Sequence, residues 1–98
     1  MALRSFFLFT NPRFQMFHCY ILYSAQLDRY YIGSCGADLA GRLARHLTNH
    51  KGFTSKAKDW RIVLRESYAS RSAAYARERQ LKSWKSRSAI EELIRSGG

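Results

Sequence analysis

Two runs rich in apolar and aromatic residues, separated by a short break, constrain this chain more than any other feature. Phe17 to Tyr23 reads Phe-His-Cys-Tyr-Ile-Leu-Tyr, as a buried strand requires, and Arg29 to Ser34 offers a second strand that ends at Gly33 and Gly36. Ser24-Ala25-Gln26-Leu27-Asp28 between them is turn-compatible. A parallel pair needs a crossover of about a dozen residues or more, so these strands can pair only as an antiparallel hairpin.

Beyond the hairpin the period changes. Leu39, Leu43 and Leu47 recur at every fourth position and make one apolar stripe, which predicts a helix from Asp38, placed to cap it, to about Asn49. His50 to Asp59 is polar, basic and Gly-containing, and reads as a loop. Trp60 to Tyr68 offers a third strand around Ile62, Val63 and Leu64. Ser70 or Ser72 caps a helix carried by alanines and Leu81 to about Trp84, and Ile90, Leu93 and Ile94 supply the core face of a final helix after Ser86. The order predicts an α+β fold: a small three-stranded antiparallel sheet flanked by helices. Residues 1–15 fit no amphipathic period and include Asn11-Pro12, with Met16 immediately before the strand pattern. They read as an N-terminal appendage, disordered or left by an upstream start codon, ahead of one domain over residues 16–95.

Composition narrows the function classes. A chain of 98 residues suits one domain, which buries about 60–65% of its unfolded surface in a modest core. Its 17 Lys and Arg against 7 Asp and Glu give a net charge of +10, a field that concentrates polyanions such as nucleic acid. Charge does not name the polyanion: a basic protein merely kept soluble, or bound to ribosomal RNA, carries the same excess. Cys19 and Cys35 are too few for a disulfide scaffold and not spaced as a metal-binding pair, so a reducing compartment, the cytoplasm, is expected. The apolar patch Phe6 to Phe9 is shorter than a signal-peptide core, and no run approaches the roughly 20 residues that span a bilayer. A soluble protein with no membrane partner is expected.

The chemistry-bearing residues fall in a recognisable order. His18-Cys19-Tyr20 precedes Tyr31-Ile32-Gly33, then Leu39, Arg42 and His46 follow on the first helix, and Arg77-Glu78 with Trp84-Lys85 close the series. This pattern resembles the GIY-YIG endonucleases, and most closely the small bacterial members in which the domain stands alone; the resemblance covers about residues 16–95. It implies a DNA endonuclease that hydrolyses phosphodiester bonds with one divalent cation, magnesium or manganese, and no small-molecule organic cofactor. A place in DNA repair or recombination is implied by the same analogy. The chain departs from the pattern at three points: the first motif lacks its Gly and Ile, one extra residue lies between Tyr31 and Arg42, and the C-terminal helix has no Asn of the kind some members carry.

The resemblance implies that the Tyr20 and Tyr31 phenols converge on the scissile phosphate; the plain alternative is two ordinary strand tyrosines. A phenol ordinarily titrates near pH 10, so Tyr20 as general base needs a neighbouring cation, for which Arg42 is the natural candidate. Arg42 and His46 lie four apart, hence on one helical face bordering the leucine stripe. Arg42 would hold the phosphate with its planar donor fork, and His46 would relay a proton or orient a tyrosine. Their alternatives are a surface arginine and a helix-surface histidine bonded to backbone. Glu78 falls near the apolar face made by Ala74, Tyr75 and Leu81, where a carboxylate needs a partner. A magnesium ion is one such partner, and an i,i+4 ion pair with Lys82 is the other.

Lys51, Lys56, Lys58, Arg61, Lys82 and Lys85, with Arg87, supply charge for phosphate contacts, which position a duplex without reading its sequence. Trp84 reads as core rather than as a stacking platform. Gly33 is read either as close backbone approach to substrate or as a strand end before a turn. A binding-only relative that keeps the fold, and a small scaffold or ribosome-associated protein, are the competing readings. Oligomeric state and the preferred DNA stay open at this point.

Overall fold

A computed structural model describes residues 16–48 and 52–97. Strands β1 (Phe17–Ser24) and β2 (Arg29–Cys35) form the expected hairpin, and helix α1 (Leu39–Thr48) follows. Strand β3 (Arg61–Tyr68) and helices α2 (Arg71–Trp84) and α3 (Arg87–Gly97) complete the order. All pairings are antiparallel and the sheet order is β2-β1-β3. The fold is therefore α+β, a three-stranded antiparallel sheet with helices on both faces. No helix among the described residues is long and apolar enough to cross a membrane.

Alternation along the central strand explains why one small sheet can support two cores. Tyr20 and Leu22 face α1, where they pack with Cys35, Leu39, Ala57 and Trp60. Cys19 and Ile21 face α2 and α3 and pack with Leu64, Leu81 and Ile90. Burying each of Ile21, Leu22 and Leu81 contributes about 1.5–3 kcal/mol relative to leaving it exposed. Register slips at one point: Ile21 pairs with Leu64 and Leu22 with Ile62, leaving Val63 as the extra residue of a β-bulge. That bulge lets Val63 and Leu64 both join the second core.

Helix starts follow the side-chain oxygens the sequence supplies. Asp38 Oδ1 accepts from the Gly41 N–H at 2.9 Å, Ser70 Oγ from Ala73 at 3.1 Å, and Ser86 Oγ from Ala89 at 3.2 Å. Ser70, not Ser72, is the cap of α2.

The final helix, for which the sequence sets no end, runs to Gly97. Three expectations need correction. Phe53–Lys56 form a short 3-10 turn inside the stretch read as loop, because the Ser55 N–H and Oγ both bond the Gly52 carbonyl. Trp84 is 36% exposed and lies under the Arg77 guanidinium at 5.7 Å, so it is no core residue. Tyr75 is likewise exposed, so Ala74 and Leu81 alone carry the buried face of α2. Residues 1–15, Asn49, His50 and Lys51 lie outside the described residues.

Candidate active site

Tyr20 stands directly opposite Gly33 in the β1–β2 register. Its ring lies across that glycine toward the free side of β2: a Cβ built on Gly33 would stand 2.6 Å from the phenol oxygen and 2.7 Å from Cζ. No side chain tolerates that approach. Gly33 is not the strand end of the second reading, since β2 runs on to Cys35, and its missing side chain makes room for the Tyr20 phenol.

The phenol oxygen ends 2.9 Å from His46 Nε2. On its other side, His46 Nδ1 lies 3.1 Å from Thr54 Oγ1, and the Thr54 carbonyl accepts the Trp60 indole N–H at 2.9 Å. Tyr20, His46 and Thr54 are all buried, so His46 is not the backbone-bonded surface histidine of the alternative reading. Burial lowers the His46 pKa, and the positive charges of Arg42 and Arg45 lower it further. The imidazole is then neutral at pH 7, with one nitrogen donating and the other accepting. The Tyr31 ring packs edge-on against it at 4.9 Å.

Tyr20 shows the opposite shift. Burial pushes its phenol well above the ordinary range, Tyr31, Cys35 and Glu78 add to the rise, and Arg42 opposes it. Arg42 therefore does not make a standing phenolate of Tyr20, because desolvation wins. Tyr31, Arg42 and Glu78 are thus each near enough for their charge to be felt at Tyr20.

Glu78 approaches from the other face. Ser34, next to Gly33, points toward α2, and its hydroxyl donates to Glu78 Oε1 at 2.6 Å. Lys82 Nζ holds Oε2 at 2.6 Å, the i,i+4 pair weighed from the sequence, and the Glu78 side chain is 13% exposed. Since β2 is an edge strand, the phenols on one face and this carboxylate on the other flank the same margin of the sheet.

Among the described residues no three His, Cys, Asp or Glu side chains gather. A multi-ligand cage therefore has no donor set there, whereas a single carboxylate completed by waters and phosphate oxygens is the habit of magnesium. Glu78 fits that mode. It is a hard oxygen donor that already faces a cation, and Lys82, half exposed, can leave it for solvent.

The basic residues divide. Lys82 and Lys85 line an open groove of about 820 Å³ beside Tyr31 and Phe53, with Arg29 and Arg87 on its wall. Lys56 stands over the Phe53 ring at 5.5 Å. Arg61 lies instead against Tyr23 on the opposite edge strand, β3, and the Lys58 backbone is tied to Gln26. Lys51 falls outside the described residues. His18 bonds Ser67 at the opposite end of β1 from the hairpin turn.

Sequence reasoning missed Thr54 and Ser34. Ser34 was accessible as the one polar residue on a β2 face otherwise made of Tyr30 and Ile32, whereas Thr54 carries no local mark.

Comparison with curated proteins and with solved structures returned no match. The family model for the GIY-YIG catalytic domain matches residues 16–91, a span that contains all three strands and every residue of this site. The chain therefore belongs to the GIY-YIG family, and its domain is of the nuclease type.

Proposed function

We propose that this protein is a DNA endonuclease that hydrolyses phosphodiester bonds with one divalent cation, Mg2+ or Mn2+. The observation that carries the reading is the buried chain from Tyr20 through His46 to Thr54, with the Tyr31 ring against His46 and Glu78 bonded to Ser34 on the other face of β2. We extend it to DNA repair or recombination on the family analogy.

The short Tyr20–His46 contact supports a route for activating water. A phenol with a raised pKa does not persist as phenolate, but it can accept a proton from water while passing its own to His46 Nε2, 2.9 Å away. His46 can take it because burial keeps the imidazole neutral, and Thr54 fixes the ring through Nδ1. The water oxygen forms the new bond to phosphorus as the leaving oxygen departs. Arg42 offsets the charge that develops on the phosphate, and Tyr31 orients it. Glu78, steered by Ser34, would hold the cation, which supplies Lewis-acid polarisation of the phosphate.

A second reading, a binding module that keeps the fold without cutting, is favoured by one observation: both Glu78 oxygens are already engaged. Incubating supercoiled, linear and branched DNA with magnesium or manganese separates the two. Nicking by the wild type, lost in Glu78→Ala while binding persists, supports the nuclease; binding to every substrate without cutting any supports the module.

A further inference from the structure

Phe53 packs against Trp60 yet leaves much of its ring open to solvent. It sits on the short 3-10 turn, 39% exposed, at the mouth of the groove that Tyr31 also lines. Its plane is within 13° of the Tyr31 plane, with centroids 6.5 Å apart, so the two rings present near-parallel faces side by side in the groove. Trp60, 5.8 Å from Phe53, and the Thr54–His46 bond support these rings.

Cations surround them. Lys56 hangs over the Phe53 ring, and Lys82, Lys85 and Arg29 border the groove. Lys85 is held at φ 49° and ψ 40°, the left-handed position where a helix ordinarily ends on glycine. A lysine in that conformation retains strain that glycine would relieve, which points to a use for its side chain. An aromatic face beside a run of positive charge is the arrangement that binds an unstacked base together with its flanking phosphates. Within a duplex each base is covered by its neighbours, so only an unpaired or splayed base can offer its face to Phe53.

We propose that Phe53, extended by Tyr31, is a stacking platform for an unpaired base of the DNA strand entering the active site, with Lys56 and Lys85 contacting its phosphates. The proposal rests on the nuclease reading for its substrate and names what that site prefers: DNA with an unpaired nucleotide next to the cut. Lys56, exposed, moves from the ring to the phosphate as the base arrives.

The test measures binding in EDTA, where nothing is cut. Two probes carry 2-aminopurine, one in a single-stranded overhang and one fully paired. Wild type should bind the overhang probe more tightly and quench it by stacking. Phe53→Leu, which keeps an apolar filler against Trp60, should weaken that probe by about 5- to 150-fold and leave the paired probe nearly unchanged. Phe53→Trp should restore quenching. Equal affinity of Phe53→Leu and wild type for the overhang probe, or an equal loss on both probes, overturns the platform. Quenching without any cutting in a parallel magnesium assay upholds the platform and sinks the nuclease reading; cutting with no Phe53 effect does the reverse.

Discussion

Replacing Gly33 with alanine tests the geometry of the site at a single atom. The added Cβ would meet the Tyr20 phenol oxygen at 2.6 Å and Cζ at 2.7 Å, and neither can retreat without cost, because Tyr20 is 1% exposed and bonded to His46. Two relaxations are open. If the strand shifts to admit the methyl, the overpacking costs about 1–3 kcal/mol. If Tyr20 swings out, the buried His46 nitrogen loses its partner, which costs about 1–3 kcal/mol. By either route a loss of at least about 1 kcal/mol lowers the thermal midpoint of a domain this size by at least about 4 °C. Displacing the proposed proton acceptor should also slow cutting by about 10²–10⁴-fold. Gly36→Ala is the matched control, since the nearest atom to its Cβ would be Arg71 Nη2 at 3.9 Å, and it should stay within about 0.5 kcal/mol of wild type. In a Tyr20→Leu background the cost at position 33 should fall by at least about half, read by calorimetry as a double-mutant cycle. A wild-type midpoint for Gly33→Ala, or an equal cost in both backgrounds, refutes the packing argument.

Three further outcomes follow from the same contacts. Burial lowers the His46 pKa, so its neutral form is lost only as pH falls below 6.5; single-turnover cutting should show an acid limb there and a plateau above neutrality, whereas a rate that climbs into the alkaline range would indicate a phenolate. Glu78→Gln should stop metal-dependent cutting while changing stability by no more than about 1 kcal/mol, because Ser34 keeps a partner and the Lys82 pair is half exposed, as a melting curve beside a nicking assay would show. Lys85→Gly should stabilise the fold by about 1 kcal/mol by relieving a left-handed lysine, yet weaken DNA binding and flatten its salt dependence in titrations at several salt concentrations.

The hairpin, the leucine stripe of α1 and the three serine or aspartate caps were legible because each is a local pattern in strand or helix period. Tyr20, Tyr31, Arg42, His46 and Glu78 were named as candidates through the resemblance that their order carries to the GIY-YIG pattern. What joins them was not legible. Tyr20 and His46 are 26 residues apart and Ser34 and Glu78 are 44 apart, so their bonds exist only once the sheet edge is built. The packing role of Gly33 was hidden for the same reason, since the atom that needs its missing side chain belongs to another strand. Trp84 looked like core because aromatic residues usually are; its position at the end of α2 leaves it at the surface beside Arg77.

The most direct test of the account is the single-turnover rate of cutting by Tyr20→Phe, with enzyme saturating and magnesium present. The substitution keeps the ring over Gly33 and removes only the oxygen bonded to His46. The account predicts unchanged DNA affinity and a rate reduced by about 10²–10⁴-fold. A rate within a few fold of wild type would contradict it and move water activation away from this tyrosine.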